Sequence, residues 1–65
     1  MDNYWFVSYW LQEGNEHTIV NKGLKNVHPI EMLHGMYKKK VQCALIFFKD
    51  ISKAHYDMLK EIEEQ

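Results

Sequence analysis

The side chains that could carry out a reaction are few in this 65-residue chain, and their spacing matches no catalytic or metal-binding pattern. Cys43 is the only cysteine, and no two histidines stand four residues apart as helical metal ligands do. Ser8 lacks the flanking glycines of a nucleophile elbow. His55 falls on an apolar helical stripe, with no nucleophile and orienting carboxylate in its pattern. The sequence therefore predicts no catalytic residue, no metal site, no cofactor and no enzymatic activity.

Lysines form the only charge cluster of one sign, from Lys38 to Lys40. One interpretation is a solvated helix end whose positive charge complements the helix dipole. The other is an anion or phosphate site, completed by Lys22, Lys25 or His28. The sequence leaves both interpretations open.

Composition limits the partners of the chain. The net charge is −1, and all eight basic residues other than histidine are lysines. Arginine supplies the planar fork that binds phosphates and guanine edges, so its absence argues against nucleic acid. No apolar run approaches the ~20 residues of a membrane span, and the N-terminus carries Asp2 rather than a basic leader. With a single cysteine, these features predict a cytoplasmic protein without membrane contact.

An aromatic run near the N-terminus, Tyr4 to Leu11, contains both tryptophans and predicts a strand at the centre of a sheet. The strand spans residues 4–12. Alternation places one set of side chains on one face (Trp5, Val7, Tyr9, Leu11) and a second set on the other (Tyr4, Phe6, Ser8, Trp10, Gln12). Neither face is polar, so we expect the strand to be covered on both sides.

A hairpin and a helix follow this strand. Gly14-Asn15 predicts the turn, and a short, half-polar edge strand runs from about His17 to Asn21, ended by Gly23. His28-Pro29 then opens a helix, because proline suits the first helical position. Its expected inward stripe is made of apolar residues at helical spacing (Ile30, Leu33, Met36, Tyr37). Gly35 sits within this helix, and close packing against the sheet is one reason for a glycine there.

A third strand and a second helix complete the chain. The strand runs from Val41 to Phe48, and alternation groups Phe47 with Leu45 and Phe48 with Ile46. Ser52 is a favourable N-cap for a helix over residues 53–64. Its apolar stripe combines four residues (His55, Met58, Leu59, Ile62).

These elements predict one α+β domain over residues 1–65, in the order ββαβα. If the third strand pairs with the first, the sheet order is 2-1-3 and both pairs are antiparallel. This order places the aromatic strand in the centre, as its two apolar faces require. The 1-2-3 order would place the polar second strand there instead, so we favour 2-1-3.

Two short helices cannot cover both faces of such a sheet, because a two-layer domain buries one sheet face. The expected interface is therefore aromatic and aliphatic (Tyr4, Phe6, Trp10, Ile46, Phe48). A second copy of the chain is its expected partner, since most small oligomers are symmetric dimers. A ligand or another protein could cover the same surface.

Several segments together resemble very small proteins encoded by phages and mobile elements. They are the strand Tyr4-Trp5-Phe6-Val7-Ser8-Tyr9, the Gly14-Asn15 turn, His28-Pro29-Ile30 at a helix start, and Leu45-Ile46-Phe47-Phe48 before Ile51-Ser52. Such proteins are often counter-defence factors. Some are oligomeric sponges that hold a nucleotide signal, and others bind and block a host protein.

The resemblance implies a non-enzymatic binding protein of the host-cell cytoplasm that sequesters a nucleotide-type ligand as a homo-oligomer. The residues expected to bind it are aromatic rings for stacking (Tyr9, Trp10, Tyr37) and basic side chains for phosphates (Lys22, His28, Lys38). An alternative is an inhibitor that applies its aromatic sheet face to a host protein. A third possibility is a structural domain whose only partner is itself.

Overall fold

The structure is a computed structural model and describes residues 1–63. Its elements are β1 (Tyr4–Glu13), β2 (Glu16–Lys25), α1 (Pro29–Lys38), β3 (Gln42–Ile51) and α2 (Lys53–Glu63). The sheet has the order β2-β1-β3, and both neighbouring pairs are antiparallel. The predicted ββαβα fold and its 2-1-3 strand order are therefore confirmed.

The central strand holds the most buried side chains of the sheet. Val7 is fully buried, and Tyr9 retains only 5% of its accessible surface. Both lie on the same face of β1, which pairs with a strand on each side along its length. The position of the core thus follows from the position of this strand in the sheet.

Strand β2 is twice as long as the sequence indicates. It continues to Lys25, so Gly23 lies inside the strand, paired with Phe6, and does not end it. A Cβ atom on Gly23 would lie 3.0 Å from Cδ1 of Tyr56 and 3.7 Å from Cδ1 of Leu59. The glycine is required because α2 crosses directly above it. The predicted Gly14-Asn15 turn is confirmed, with Gly14 at φ 60°.

The two helices contact opposite faces of the sheet. The ring of His28, the N-cap of α1, lies 4.6 Å from the ring of Trp5. The ring of Tyr56 in α2 lies 4.9 Å from the ring of Tyr4. Since Tyr4 and Trp5 are consecutive in a strand, their side chains point to opposite faces. Each face of the sheet therefore has one helix, so the expected two-layer arrangement with one uncovered sheet face is wrong.

Strand β3 contains an irregularity that changes the predicted faces. Ser8 is paired with Phe47 and Tyr9 with Leu45, so Ile46 is an extra residue without a partner in β1. Beyond this bulge the alternation shifts by one residue. The predicted groupings of Phe48 with Ile46 and of Phe47 with Leu45 are therefore both wrong. Phe47 contacts Phe6, whereas Leu45, paired with Tyr9, and Phe48, beside His28, lie on the Trp5 face.

The inward stripe of α1 is rotated from the predicted one. Ile30 and Tyr37 are 48% and 75% exposed, whereas Met32, Leu33 and Met36 are half-buried. Pro29 is fully buried and fixes the start of the helix against the sheet.

Gly35 does not pack closely against anything, contrary to expectation. An added Cβ would meet no atom within 4 Å. The predicted packing reason for this glycine is therefore wrong.

The stripe of α2 is rotated as well. Tyr56 and Leu59 face the sheet, while Met58 and Ile62 are 59% and 67% exposed and His55 is also exposed. The predicted cap is confirmed, because Oγ of Ser52 accepts a hydrogen bond from the backbone N–H of His55.

Helix α1 ends in a Schellman motif. The N–H of Val41 donates to the carbonyl of Met36, and the N–H of Lys40 donates to the carbonyl of Tyr37, both at 3.0 Å. Lys40 occupies the left-handed position at φ 61°, where glycine is the usual residue. This turn redirects the chain into β3 and fixes the direction from which Lys40 leaves the backbone.

Candidate functional site

One cavity is a groove bounded by α1 on one side and by the first residues of β3 on the other. Its volume is about 870 Å³, and Trp10 of the central strand also lines it. We call this cavity the α1–β3 groove. Its lining consists of ten residues (Trp10, Ile30, Leu33, His34, Tyr37, Lys38, Lys40, Val41, Gln42 and Cys43).

Helical spacing accounts for the α1 side of the groove. Ile30, His34 and Tyr37 are separated by four and three residues and therefore lie on one side of the helix. Leu33 lies at the boundary between this side and the side that packs on the sheet. The rotation of α1 that exposes Ile30 and Tyr37 is what gives the groove an apolar and aromatic wall.

The Schellman turn provides the basic end of the groove. Lys38 is the last residue of α1, and Lys40 follows it in the left-handed conformation. Both lysines line the groove, whereas Lys39 between them does not. The lysine run thus divides into two residues that face the cavity and one that does not.

The groove combines aromatic and basic side chains. Tyr37 supplies a ring from α1, Trp10 lines the groove from β1 while its ring stacks on His17, and His34, Lys38 and Lys40 supply nitrogen donors. None of the lining residues is acidic. The electrostatic character of the site is therefore favourable for an anion, and its rings offer stacking surfaces.

A second cavity of about 510 Å³ adjoins the groove. Lys40, Val41 and Gln42 line both cavities, and the hairpin residues Glu13 and Gly14 line only the second. Lys40 therefore lies where the apolar groove meets a polar cavity.

Three of the predicted ligand residues line the α1–β3 groove, namely Trp10, Tyr37 and Lys38. The other three do not. Tyr9 is almost fully buried, so its ring has no free face for a ligand. Nζ of Lys22 lies 5.8 Å from the centre of that ring.

His28 has a structural role at the other end of α1. Its Nδ1 accepts a hydrogen bond of 3.1 Å from the backbone N–H of Ile30. Its ring packs against Trp5 and Phe48, at 4.6 and 5.3 Å between centroids. The predicted phosphate contact of His28 would compete with this cap.

His34 is a polar groove residue that the sequence analysis missed, and its spacing to Ile30 and Tyr37 could have revealed it. Lys40 belongs to the lysine run that the sequence offered as an anion site, but it was not among the six residues expected to bind the ligand. Its direction depends on a left-handed backbone conformation that non-glycine residues adopt infrequently.

The predicted interface residues are dispersed. Tyr4 packs on Tyr56 of α2, and Trp10 stacks on His17 with ring centroids 5.1 Å apart. Phe6 packs on Phe47, while Ile46 is 55% exposed. Two exposed residues, Phe47 at 52% and Ile19 at 53%, lie on the Trp10 face of the sheet. Phe48 lies on the opposite face because of the β3 bulge.

Residues 1–63 contain no group of three or more histidine, cysteine, aspartate or glutamate side chains placed to hold a metal ion. Within the same residues, neither helix has the length and apolar character needed to cross a bilayer.

Comparisons with protein-family models, with curated proteins and with solved structures found no match to this chain.

Proposed function

We propose that this protein binds a small aromatic anion of the nucleotide type in the α1–β3 groove and holds it without transforming it. The observation that carries the proposal is the composition of the groove lining. Two aromatic residues and three basic residues line one cavity, and none of its lining residues is acidic.

The size of the groove suits such a ligand. Small-molecule sites typically enclose about 300–1,000 Å³, with an apolar lining and a few polar groups that fix orientation. The groove has about 870 Å³ and apolar walls formed by Ile30, Leu33 and Val41. A planar base would stack on Trp10 or Tyr37, and its phosphates would extend toward Lys38 and Lys40. Lysine binds phosphate as a point charge, so the site does not need arginine.

Binding without catalysis is favoured by the isolation of the one nucleophile in the groove. Cys43 is a free, half-buried thiol. Among the side-chain hydrogen bonds of residues 1–63, none joins Cys43 to a histidine. An activated cysteine needs such a base or another source of a lowered pKa.

The biological role that we propose follows from the resemblance to small phage proteins. A protein that binds a nucleotide signal tightly in the host cytoplasm lowers its free concentration and so blocks the response that the signal triggers. The support for this role is the resemblance together with the chemistry of the groove.

The proposal is tested by calorimetric titration with mono- and dinucleotides, compared with the matching nucleosides. We expect nucleotides to bind and nucleosides to bind more weakly, because the lysines contact only the phosphates. The change Lys38→Gln should weaken nucleotide binding several-fold. Lys39→Gln removes the same charge from a residue outside the groove lining and serves as the control. Equal effects of the two changes, or no binding of any nucleotide, would overturn the proposal.

A second candidate is an inhibitor that docks its sheet on a host protein. The observation in its favour is the exposure of Phe47 and Ile19, each by about half, on the Trp10 face. On this alternative, Phe47→Asp abolishes binding of the target, while Lys38→Gln leaves it unchanged.

A further inference from the structure

Strand β3 has an open edge. It is the last strand of the sheet and pairs only with β1. Seven of its ten residues are exposed. Within residues 1–63, no backbone hydrogen bond outside the regular elements involves any residue of β3. The N–H and C=O groups that point away from β1 are therefore available to another strand.

Between Gln42 and Leu45 this edge lacks most of the features that usually prevent strand addition. Natural edge strands are protected by charged residues, by proline, by β-bulges or by a covering element. From Val41 to Phe48 the sequence contains neither a charge nor a proline. The bulge at Ile46 bends the strand, but the stretch from Gln42 to Leu45 before it is regularly paired with β1.

The opposite edge of the same sheet is protected. Strand β2 carries Glu16, Lys22 and Lys25 along its length. In addition, Nζ of Lys60 in α2 donates a hydrogen bond of 3.2 Å to the carbonyl of Gly23. The charged residues of β3, Lys49 and Asp50, lie beyond the bulge, so the stretch from Gln42 to Leu45 is less protected than the β2 edge.

We propose that the β3 edge pairs with the β3 edge of a second copy of this chain. The two strands run antiparallel about a two-fold axis through the stretch from Gln42 to Leu45, and the two sheets join into one of six strands. An antiparallel pair of identical strands is isologous, so each strand supplies the edge that the other needs. Because the stretch is uncharged, it faces its own copy without repulsion between like charges.

This inference goes beyond the proposed ligand and does not depend on it. It also differs from a dimer formed through the sheet face, because the main chain of β3 makes the contact. In the pairing, Ile46 lies opposite the start of the partner strand, close to Lys40 of the second copy.

Light scattering coupled to size-exclusion chromatography, over a range of protein concentrations, tests the inference. We expect the wild-type chain to reach twice its mass of 7.9 kDa. Ile46→Lys should return it to the monomer mass, because the new charge faces Lys40 of the partner. Ile19→Lys is the matched control: Ile19 is 53% exposed and Ile46 is 55% exposed, but Ile19 lies on the protected strand. It should remain dimeric.

Hydrogen exchange on the wild-type chain gives a second readout that needs no substitution. The outward amides between Gln42 and Leu45 should become protected as the dimer forms at higher concentration, while β2 amides stay unchanged. A wild-type monomer at all concentrations would overturn the inference. Loss of the dimer with Ile19→Lys would also overturn it and would indicate an interface through the sheet face. Protection of β3 only when another protein is added would indicate a different occupant of the edge.

Discussion

Lys40 shows how one strained residue can connect the fold to the site. It has φ 61° at the end of α1, and it lines both neighbouring cavities. A side chain in the left-handed conformation costs about 1–2 kcal/mol relative to an ordinary helical conformation. Such strain is found where the residue is needed for function. In this chain the strained residue lies between the apolar groove and the polar cavity.

The change Lys40→Gly should therefore stabilise the protein and weaken its ligand binding. Glycine removes the strain of the left-handed conformation. It also raises the conformational entropy of the unfolded chain, which lowers the free energy of unfolding by about 0.4–1 kcal/mol. We expect a net gain of about 0.5–1 kcal/mol in the free energy of unfolding, measured by urea denaturation. Nucleotide affinity, measured by calorimetry, should fall in the same variant. A variant that is stabilised and binds normally would show that Lys40 does not contact the ligand.

Asp2 connects the N-terminus to the end of β2. Its Oδ1 accepts a hydrogen bond of 3.0 Å from Nδ2 of Asn26, and its Oδ2 lies 3.7 Å from Nζ of Lys25. The Asn26 hydrogen bond, followed by the charge of Lys25, lowers the pKa of the Asp2 carboxyl below its ordinary value of 3.8. The carboxylate form is thus favoured in the folded chain.

This shift predicts a pH-dependent attachment of the N-terminus. Because the folded-state pKa is depressed, the contribution to stability is complete above pH 3.8 and is lost as the pH falls through the lower folded-state pKa. The amide signals of Asn3 and Asn26 in NMR spectra should shift over that acidic range. Asp2→Asn should abolish this titration. Unchanged titration in the variant would assign it to another group.

The elements show which parts of the fold can be read from local sequence. The Gly14 turn, the Pro29 helix start and the Ser52 cap were all predicted, because each depends on residues adjacent in the chain. The faces of α1, α2 and β3 were predicted only in part: Leu33, Met36 and Leu59 are half-buried as predicted, whereas the rest of the two helical stripes and the faces of β3 beyond the bulge differ. In each case the deciding contact comes from a distant element, such as Tyr56 above Gly23 or the bulge opposite Ser8.

The glycines at positions 35 and 23 should respond in opposite directions to the same change. Gly35→Ala should stabilise the protein by about 1 kcal/mol, because the helix gains a better helix former in open space. Gly23→Ala should destabilise it by about 1–3 kcal/mol, because the new methyl group crowds the Tyr56 ring at 3.0 Å. Urea denaturation measures both values. Equal changes in the free energy of unfolding would mean that the Tyr56 ring of α2 does not lie in close contact with Gly23.

In the molecule as a whole, each helix covers one face of the sheet. Exposed apolar side chains remain on both helices and on the two edge strands, β2 and β3. The two apolar faces of β1 predicted that some apolar surface would remain exposed. They did not predict where it would lie, because its position depends on the rotation of α1 and on the bulge in β3. Of the six predicted ligand residues, Trp10, Tyr37 and Lys38 line the groove; Tyr9 is instead part of the core.

NMR mapping of a nucleotide titration on the isotope-labelled chain locates the ligand site residue by residue. We expect shifts of backbone signals to concentrate at the groove, at His34, Tyr37, Lys38, Lys40 and Cys43, with the Trp10 indole signal also moving. Signals of Lys22 and His28 should remain unchanged, because these residues lie outside the groove. Shifts centred on Phe47 and Ile19, or no shifts with any nucleotide, would contradict the account.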